Sequence, residues 1–179
     1  GIYGIGQLIS SPASSGGSND NPFYTAPTDT TSDTATGSYQ TPLSITDIDG
    51  NIYNLADYEG KVVVLYFHFL GCYYCTEHSP NLAAAMDSFT SNQLLVLSIT
   101  VDPGDTVAEL ETWKSDGGYT WPIIQDTDYI LSSRFSAQST PLTVYLDPSG
   151  AQTSMRGAQA TDEIVGMINS RQIGRASCR

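Results

Sequence analysis

The chain has 179 residues, of which 40% are hydrophobic, so it is long enough for one ordinary core with extensions. Acidic residues outnumber basic residues by 19 to 7, and the formal charge is −12. Nucleic acids and anionic membrane surfaces repel such a chain, so we expect neither as a partner. The sequence contains no uninterrupted apolar run of 18 residues, so it does not predict a membrane-spanning helix.

Residues 1–41 differ in composition from the rest of the chain. The apolar opening GIYGIGQLIS runs into a tract of Ser, Thr, Gly, Pro and Asp that cannot bury enough surface to order itself. We interpret this region as a flexible stalk, and its opening as a possible remnant of a signal peptide or membrane anchor. A cloning boundary or a tail without a role would give the same pattern. The first interpretation favours a location outside the cytoplasm, either tethered to the membrane or secreted.

We assign residues 42–170 to one globular domain. Asp49-Gly50 lies between two short alternating runs, which predicts a hairpin over residues 43–55. Two continuous apolar runs, KVVVLYFHF (61–69) and LLVLSITV (94–101), predict strands that are buried on both faces. These runs are expected to form the centre of the sheet.

The second half of this domain alternates between helical and extended patterns. Thr106 and Glu109 are spaced as a capping box and Gly117-Gly118 is a stop signal, so a helix is predicted between them. The remaining segments predict a strand, a short helix, a hairpin and a last helix: WPIIQD, TDYILSSRF, LTVYLD with AQTSMRG, and TDEIVGMINS. Strands that alternate with helices indicate an α/β fold, a mixed sheet sandwiched by helices.

The last nine residues, RQIGRASCR (171–179), follow the predicted end of the last helix. They contain the third cysteine, Cys178, and several of the chain's basic residues. We interpret this segment as a tail that could derive from a cloning vector, and exclude it from the domain.

The other two cysteines form a C-x-x-C motif, Cys72-Tyr-Tyr-Cys75, between a predicted strand and a predicted helix. The helix N-terminus stabilises a thiolate, so we expect Cys72 to have a lowered pKa and to act as the attacking sulfur. Cys75 lies one turn inside the helix, where we expect it to be sheltered and to resolve a mixed disulfide. The motif therefore indicates a redox couple that needs no cofactor beyond its own disulfide.

Two other interpretations of the motif remain open. A structural crosslink would close a very short loop and would stabilise the fold little. A Cu(I) or zinc site could use Cys72, Cys75 and His78, which form C-x-x-C-x-x-H, although structural zinc needs a fourth ligand. We expect no bound metal.

The domain resembles the thioredoxin superfamily and, within it, the TlpA/ResA-like, AhpC/TSA-related extracytoplasmic thiol–disulfide oxidoreductases. The resemblance rests on GKVVVLYFHFLGCYYCTEHSP, with Pro80 eight residues after Cys72 inside the helix, and on STPLTVYLDPSGAQTSMRG. It implies a thioredoxin-like fold with an N-terminal hairpin and an insert within residues 102–140.

The resemblance also implies roles for single residues. Cys72 matches the family's nucleophile, Cys75 its resolving thiol, and Thr140-Pro141 its cis-proline loop, which faces the cysteines and pairs with an extended substrate. The implied partners are cysteine-containing client proteins and a redox partner that donates or accepts electrons. We favour the reductase direction, although the sequence does not set it.

Several positions depart from the pattern of the superfamily. Tyr66 replaces the buried acid of a minimal thioredoxin, His68 replaces an aromatic residue and Gly71 a tryptophan. His78 stands where some TlpA-like members have a glutamate, so we expect it to accept the proton of Cys75, with Tyr66 as a second candidate. The alternative for His78 is an ordinary, partly exposed helix residue.

Tyr73 and Tyr74 replace the more usual residue-plus-proline dipeptide between the cysteines. We expect one of them to line the exposed rim and to pack against a substrate chain. The alternative is a pair of ordinary aromatic residues at a helix start.

Three other functions are weighed against thiol–disulfide exchange. A peroxiredoxin-like peroxidase would need a threonine where Phe69 stands, and an arginine near the sulfur. A Sco-type Cu(I) chaperone uses C-x-x-x-C and a distant histidine, whereas this chain has one residue fewer and no histidine after His78. A peptide-binding adaptor would lack redox activity, and only measurement can distinguish it.

Overall fold

A computed structural model describes residues 43–173 of the chain. The stalk assigned to residues 1–41 and Cys178 of the tail lie outside these residues. The elements, in chain order, are β1 (Ser44–Thr46), β2 (Ile52–Asn54), a 3₁₀ turn (Leu55–Tyr58), β3 (Val62–His68), α1 (Tyr73–Met86), β4 (Leu94–Thr100), α2 (Val107–Gly117), β5 (Ile123–Gln125), α3 (Ile130–Arg134), β6 (Leu142–Leu146), β7 (Gln152–Arg156) and α4 (Thr161–Ile173).

The main sheet has five strands in the order β5-β4-β3-β6-β7. Strand β3 is central, parallel to β4 and antiparallel to β6, and all seven of its residues are buried. This confirms the predicted strand that is covered on both faces. Strands β1 and β2 form a separate antiparallel hairpin, so the predicted fold class, a mixed sheet with an N-terminal hairpin, is confirmed.

Alternate residues of β3 face two different hydrophobic clusters. Val62, Val64 and Tyr66 belong to a cluster that also contains the motif cysteines and buried residues of α1, α2 and α4. The intervening residues face a second cluster, built with residues of the hairpin and of α3. The period of two along a strand produces this division, and it places Tyr66 on the same face as the cysteines.

The predicted hairpin turns at Gly50, whose φ of 86° lies in the left-handed region that favours glycine. The Asp47 carboxylate organises the turn, because it accepts hydrogen bonds from the backbone N–H groups of Asp49 and Asn51 and from the Tyr53 hydroxyl. Burial raises the pKa of Asp47, but these hydrogen bonds outweigh it and hold the pKa below its usual value. The Ile48 N–H also donates to a carbonyl of β5 at 2.8 Å, which joins the hairpin to the edge of the sheet.

The ends of α2 follow the prediction. Thr106 and Glu109 form a reciprocal capping box, and the helix ends at Gly118, which has a φ of 64°. The last helix differs, since α4 continues to Ile173, three residues beyond its predicted end. Arg and Gln are good helix formers, and Arg171 donates to the Met167 carbonyl one turn earlier. None of the helices within residues 43–173 is long and apolar enough to cross a bilayer.

Candidate active site

The loop between β3 and α1 carries the first motif cysteine. The Cys72 N–H donates to the Phe69 carbonyl at 3.1 Å, and the Leu70 N–H donates to the Asp105 carboxylate at 3.0 Å. Gly71 lies against the Phe69 ring, which a Cβ at this position would approach to 3.0 Å. These contacts fix the loop and place Cys72 at the N-cap of α1.

Cys72 and Cys75 are joined by a disulfide bond. The Cys72 sulfur also accepts the N–H of Cys75 at 3.2 Å, as an N-cap side chain does. The two residues are almost equally buried, with 5% and 4% of their surfaces exposed, so the expected contrast between an exposed and a sheltered cysteine is wrong for the disulfide form. The asymmetry between them lies in position, since only the Cys72 sulfur caps the helix.

Tyr73 and Tyr74 form the exposed part of the motif. They expose 80% and 61% of their surfaces, and their rings meet edge to face with centroids 5.4 Å apart. The first turn of α1 therefore presents two aromatic rings to solvent beside a buried disulfide. Exposed rings of this kind offer contact area to a partner chain.

Tyr66 lies in the core beneath the motif. Its hydroxyl is 2.8 Å from the Ser79 hydroxyl and 3.4 Å from the Cys75 carbonyl, and Ser79 also donates to that carbonyl at 2.8 Å. Burial raises the pKa of Tyr66 well above its usual value. The phenol therefore stays protonated and is a hydrogen-bond donor, which argues against Tyr66 as a proton acceptor.

His78 is fully buried, so the alternative of a partly exposed helix residue is wrong. Its Nδ1 accepts the backbone N–H of Gln159 at 3.1 Å, and in the neutral ring this leaves Nε2–H to donate to the Thr143 hydroxyl at 2.9 Å. Burial lowers the pKa of His78 to about 4. With both nitrogens engaged and the ring weakly basic, this geometry argues against His78 as the acceptor of the Cys75 proton.

A second buried histidine, His68, stands beside Tyr66 on the same face of β3. Its ring stacks between those of Tyr66 and Trp113, with centroids 4.9 and 4.6 Å away. Burial lowers the pKa of His68 to about 3, and its Nε2 has no hydrogen-bond partner among the described residues. The sequence marked His68 only as a departure from the family.

The stack of rings continues into the insert. Trp113 packs against Tyr119, and Tyr119 stacks on Trp121, each pair with centroids 4.6 Å apart. Sequence reasoning missed these residues. The available signal was that both tryptophans of the chain fall within nine residues of each other.

The Thr140–Pro141 peptide bond is cis, as the family resemblance implies. Leu142, the next residue, is paired with Phe67 near the end of β3. Pro141 therefore lies at the same end of the strands as the motif. Pro141 is buried, and its carbonyl accepts the N–H of Gly157 at 2.9 Å.

The arrangement does not resemble a metal centre. Within residues 43–173, no three His, Cys, Asp or Glu side chains converge in a way that could hold an ion. In this disulfide form, C-x-x-C-x-x-H does not form a ligand set, because the sulfurs are bonded to each other and both nitrogens of His78 have protein partners.

Comparison with known protein families assigns the chain to one of them. A model of the AhpC/TSA family matches residues 37–161, which include both motif cysteines and the cis-proline. The chain belongs to the AhpC/TSA family.

The names of two curated relatives point to different activities. ResA of Geobacillus kaustophilus, a thiol–disulfide oxidoreductase, is 26% identical over 116 residues, which are 65% of this chain and 66% of that protein. The chain thus spans just under two thirds of the length of this relative. A putative peroxiredoxin of Mycobacterium tuberculosis is 31% identical over 87 residues, or 48% of this chain and 54% of that protein.

Solved structures confirm the thioredoxin-like fold. A putative thioredoxin from Neisseria meningitidis superposes with a TM-score of 0.69 at 21% identity, over 79% of this chain and 93% of that chain. A secreted disulfide oxidoreductase of Mycobacterium tuberculosis, described as homologous to DsbE of E. coli, has a TM-score of 0.63 at 20% identity, over 72% and 95% of the two chains.

Proposed function

We propose that this protein is a thiol–disulfide oxidoreductase that acts on protein cysteines through Cys72 and Cys75. The observation that carries the proposal is the position of the Cys72 sulfur, which caps α1, accepts the Cys75 N–H and is bonded to the Cys75 sulfur. The helix N-terminus stabilises the thiolate that a reduced Cys72 forms. The family and the similarity to ResA support the same chemistry.

In the reductive direction, the Cys72 thiolate attacks one sulfur of a client disulfide. A bond forms between Cys72 and that sulfur, the client disulfide breaks, and the second client sulfur leaves as a thiolate. Cys75 then attacks the Cys72 sulfur, which re-forms the Cys72–Cys75 bond and releases the first client sulfur. Two electrons pass to the client, and a redox partner must return them.

Cys75 must lose a proton before it attacks the mixed disulfide. His78 is engaged at both nitrogens and Tyr66 stays protonated, so neither accepts this proton. We assign it to the second client sulfur, which left as a thiolate in the first exchange. In this scheme Tyr66 and His78 are positioning residues that hold α1 against the sheet. Tyr66 acts through its contact with Ser79.

The remaining parts of the proposal concern substrate, direction and place. Clients are cysteine-containing proteins, which contact the exposed Tyr73 and Tyr74 and the Thr140-Pro141 loop. No cofactor is required other than the redox-active disulfide. We place the protein outside the cytoplasm, tethered or secreted, with reduction of clients as its direction; the similar Mycobacterium tuberculosis oxidoreductase is secreted.

The test is the equilibrium reduction potential of the Cys72–Cys75 couple, measured by thiol trapping in dithiothreitol and glutathione buffers. A Cys178→Ser variant removes the third thiol. A potential near −270 mV, about that of thioredoxin, supports a reductase, and one near −120 mV, about that of DsbA, supports an oxidase. Absence of a reversible couple contradicts the proposal.

A peroxidase is the second candidate, because one relative is named as a putative peroxiredoxin. Phe69 stands three residues before Cys72, where that family has a threonine, and a phenyl ring cannot donate a hydrogen bond to peroxide. Peroxide consumption by the reduced protein distinguishes the two, and we expect a rate close to that of an ordinary free thiol.

A further inference from the structure

An open groove of about 680 Å³ lies beside the candidate active site. One wall is Leu70 of the site loop, and the other is formed by residues of α2 and by Tyr119, which follows it. Most of the lining surface is apolar. None of the proposed steps of disulfide exchange uses this groove.

The aromatic side chains that line the groove are held firmly by their neighbours. Trp113 is packed between His68 and Tyr119, and Tyr119 stacks on Trp121. The Tyr119 ring lies over Gly117, where a Cβ would come within 2.2 Å of it. Because the rings are fixed by their neighbours, a ligand that enters the groove need not order them.

The rim of the groove is acidic. Glu109 and Asp116 both line it, and the lining residues described by the structure include no lysine or arginine. Glu109 also closes the capping box of α2, which fixes its carboxylate in place. On a chain with a formal charge of −12, this rim attracts cations and repels anions.

The groove adjoins the loop that carries Cys72, because Leu70 of that loop lines it. Leu70 precedes Cys72 by two residues, and Asp105 holds the Leu70 backbone in position. Two residues of chain span at most about 7 Å and an extended chain advances by about 3.3 Å per residue, so a client residue two or three positions from a cysteine at Cys72 is within reach of Leu70.

We propose that the groove binds the client polypeptide beside its reactive cysteine, and that it selects segments with a large apolar side chain next to a lysine or arginine. The apolar side chain packs on Trp113 and Tyr119, and the carboxylates of Glu109 and Asp116 attract the cation. This inference rests on the proposed function, because the occupant is the substrate of the exchange reaction.

The test uses short fluorescein-labelled peptides in which serine replaces the client cysteine. Four peptides differ at two positions, which hold Phe or Ser and Lys or Glu. Their affinities for the oxidised Cys178→Ser protein are measured by fluorescence anisotropy at low ionic strength. We expect the Phe/Lys peptide to bind about tenfold or more tightly than the Ser/Glu peptide, since burial of one aromatic side chain accounts for most of that ratio.

Two pairs of variants locate the preference. Asp116→Lys should abolish the preference for Lys over Glu. Glu59→Lys makes the same charge change before β3, at the opposite end of that strand from the motif, and should keep the preference. Ala108→Trp fills the groove and should abolish the preference for Phe, whereas Ala84→Trp, on an exposed position of α1, should keep it. Thermal unfolding of each variant shows that it is folded.

Equal affinities for the four peptides would overturn the proposal, as would preferences that survive in Asp116→Lys and Ala108→Trp. Because the peptides contain no cysteine, these results do not depend on redox activity. A protein without a reversible disulfide couple can still show the preference, and a redox-active protein can lack it, so the two proposals fail separately.

Discussion

His78 in α1 accepts a hydrogen bond from the backbone N–H of Gln159, which lies 81 residues further along the chain. The same ring donates to Thr143 of β6, and the Gln159 carbonyl accepts the side-chain amide of Asn81. One buried imidazole and one neighbouring amide thus join the helix that carries the motif to the sheet and to the loop before α4. This junction stabilises the position of α1.

Replacement of His78 by leucine should destabilise the protein. The Gln159 N–H and the Thr143 hydroxyl would both lose their partner in the core, at a cost of about 2–4 kcal/mol in the free energy of unfolding. Urea unfolding followed by circular dichroism measures the loss. Glu77 is the exposed neighbour of His78, and Glu77→Ala serves as the control. It should change the free energy of unfolding by less than about 0.5 kcal/mol. An equally small effect of His78→Leu would mean that the junction contributes nothing.

The two motif cysteines should differ in their products with a client. Cys75→Ser should accumulate a mixed disulfide between Cys72 and the client, because no second thiol can release it. Cys72→Ser should give almost none, since Cys75 lies inside α1 and lacks the N-cap position that stabilises the Cys72 thiolate. Non-reducing electrophoresis after incubation with an oxidised client, in a Cys178→Ser background, separates the two outcomes. Trapping by Cys75 instead would reverse the assigned roles.

Stability should decrease in acid because two histidines are buried in their neutral form. Burial holds the pKa of His78 near 4 and that of His68 near 3, whereas an unfolded histidine titrates near 6.5. Below pH 6.5 the unfolded state therefore binds more protons than the folded state. Each histidine reduces the free energy of unfolding by up to roughly 1.4 kcal/mol per pH unit as the pH falls toward its folded pKa.

Substitution of His68 by phenylalanine tests this directly. Between pH 6.5 and pH 5, the free energy of unfolding of the variant should depend less steeply on pH, by the contribution of one histidine. The substitution also removes a buried nitrogen that lacks a partner among the described residues. Unfolding curves at several pH values, compared with those of the wild type, give the slope. An unchanged slope would contradict this, because it would show that His68 takes up its proton equally in the folded and the unfolded state.

Asp105 should control the loop before Cys72. Its carboxylate accepts the Leu70 N–H and the Thr100 hydroxyl, so Asp105→Ala leaves two donors unpaired at a cost of about 1–3 kcal/mol. Exchange with a client disulfide should also slow, as the loop loosens. Asp102→Ala is the matched control, because the exposed Asp102 carboxylate accepts only the nearby Gly104 N–H among the described residues. Equal stopped-flow rates for the two variants would contradict this role.

Most of the fold follows from local patterns in the sequence. The apolar run of β3, the capping box of α2 and the Asp49-Gly50 turn each specify their element through nearest neighbours, and each is found where predicted. The exception is the end of α4, where the change in composition at Arg171 was mistaken for a boundary although its residues favour helix.

The surroundings of the site were harder to predict, because contacts between distant segments determine them. The sequence places His78 three residues after Cys75, which suggested a proton acceptor. It does not show that Thr143 and Gln159 occupy both nitrogens of the ring. Nor does it show that the insert folds back to stack Trp113 on His68. Such pairings depend on the register of the sheet and the packing of α2, which no local pattern specifies.

The hydrogen bond from Ile48 to Ile123 has a consequence for self-association. An edge strand with free backbone groups can pair with another chain, and this pairing begins many aggregates. Strand β5 is only three residues long, and the Ile48 N–H of the hairpin already occupies one backbone acceptor on its outer side. Within residues 43–173, this leaves β7 as the outer strand of the main sheet that is open to a second chain, and the formal charge of −12 on each copy opposes its close approach.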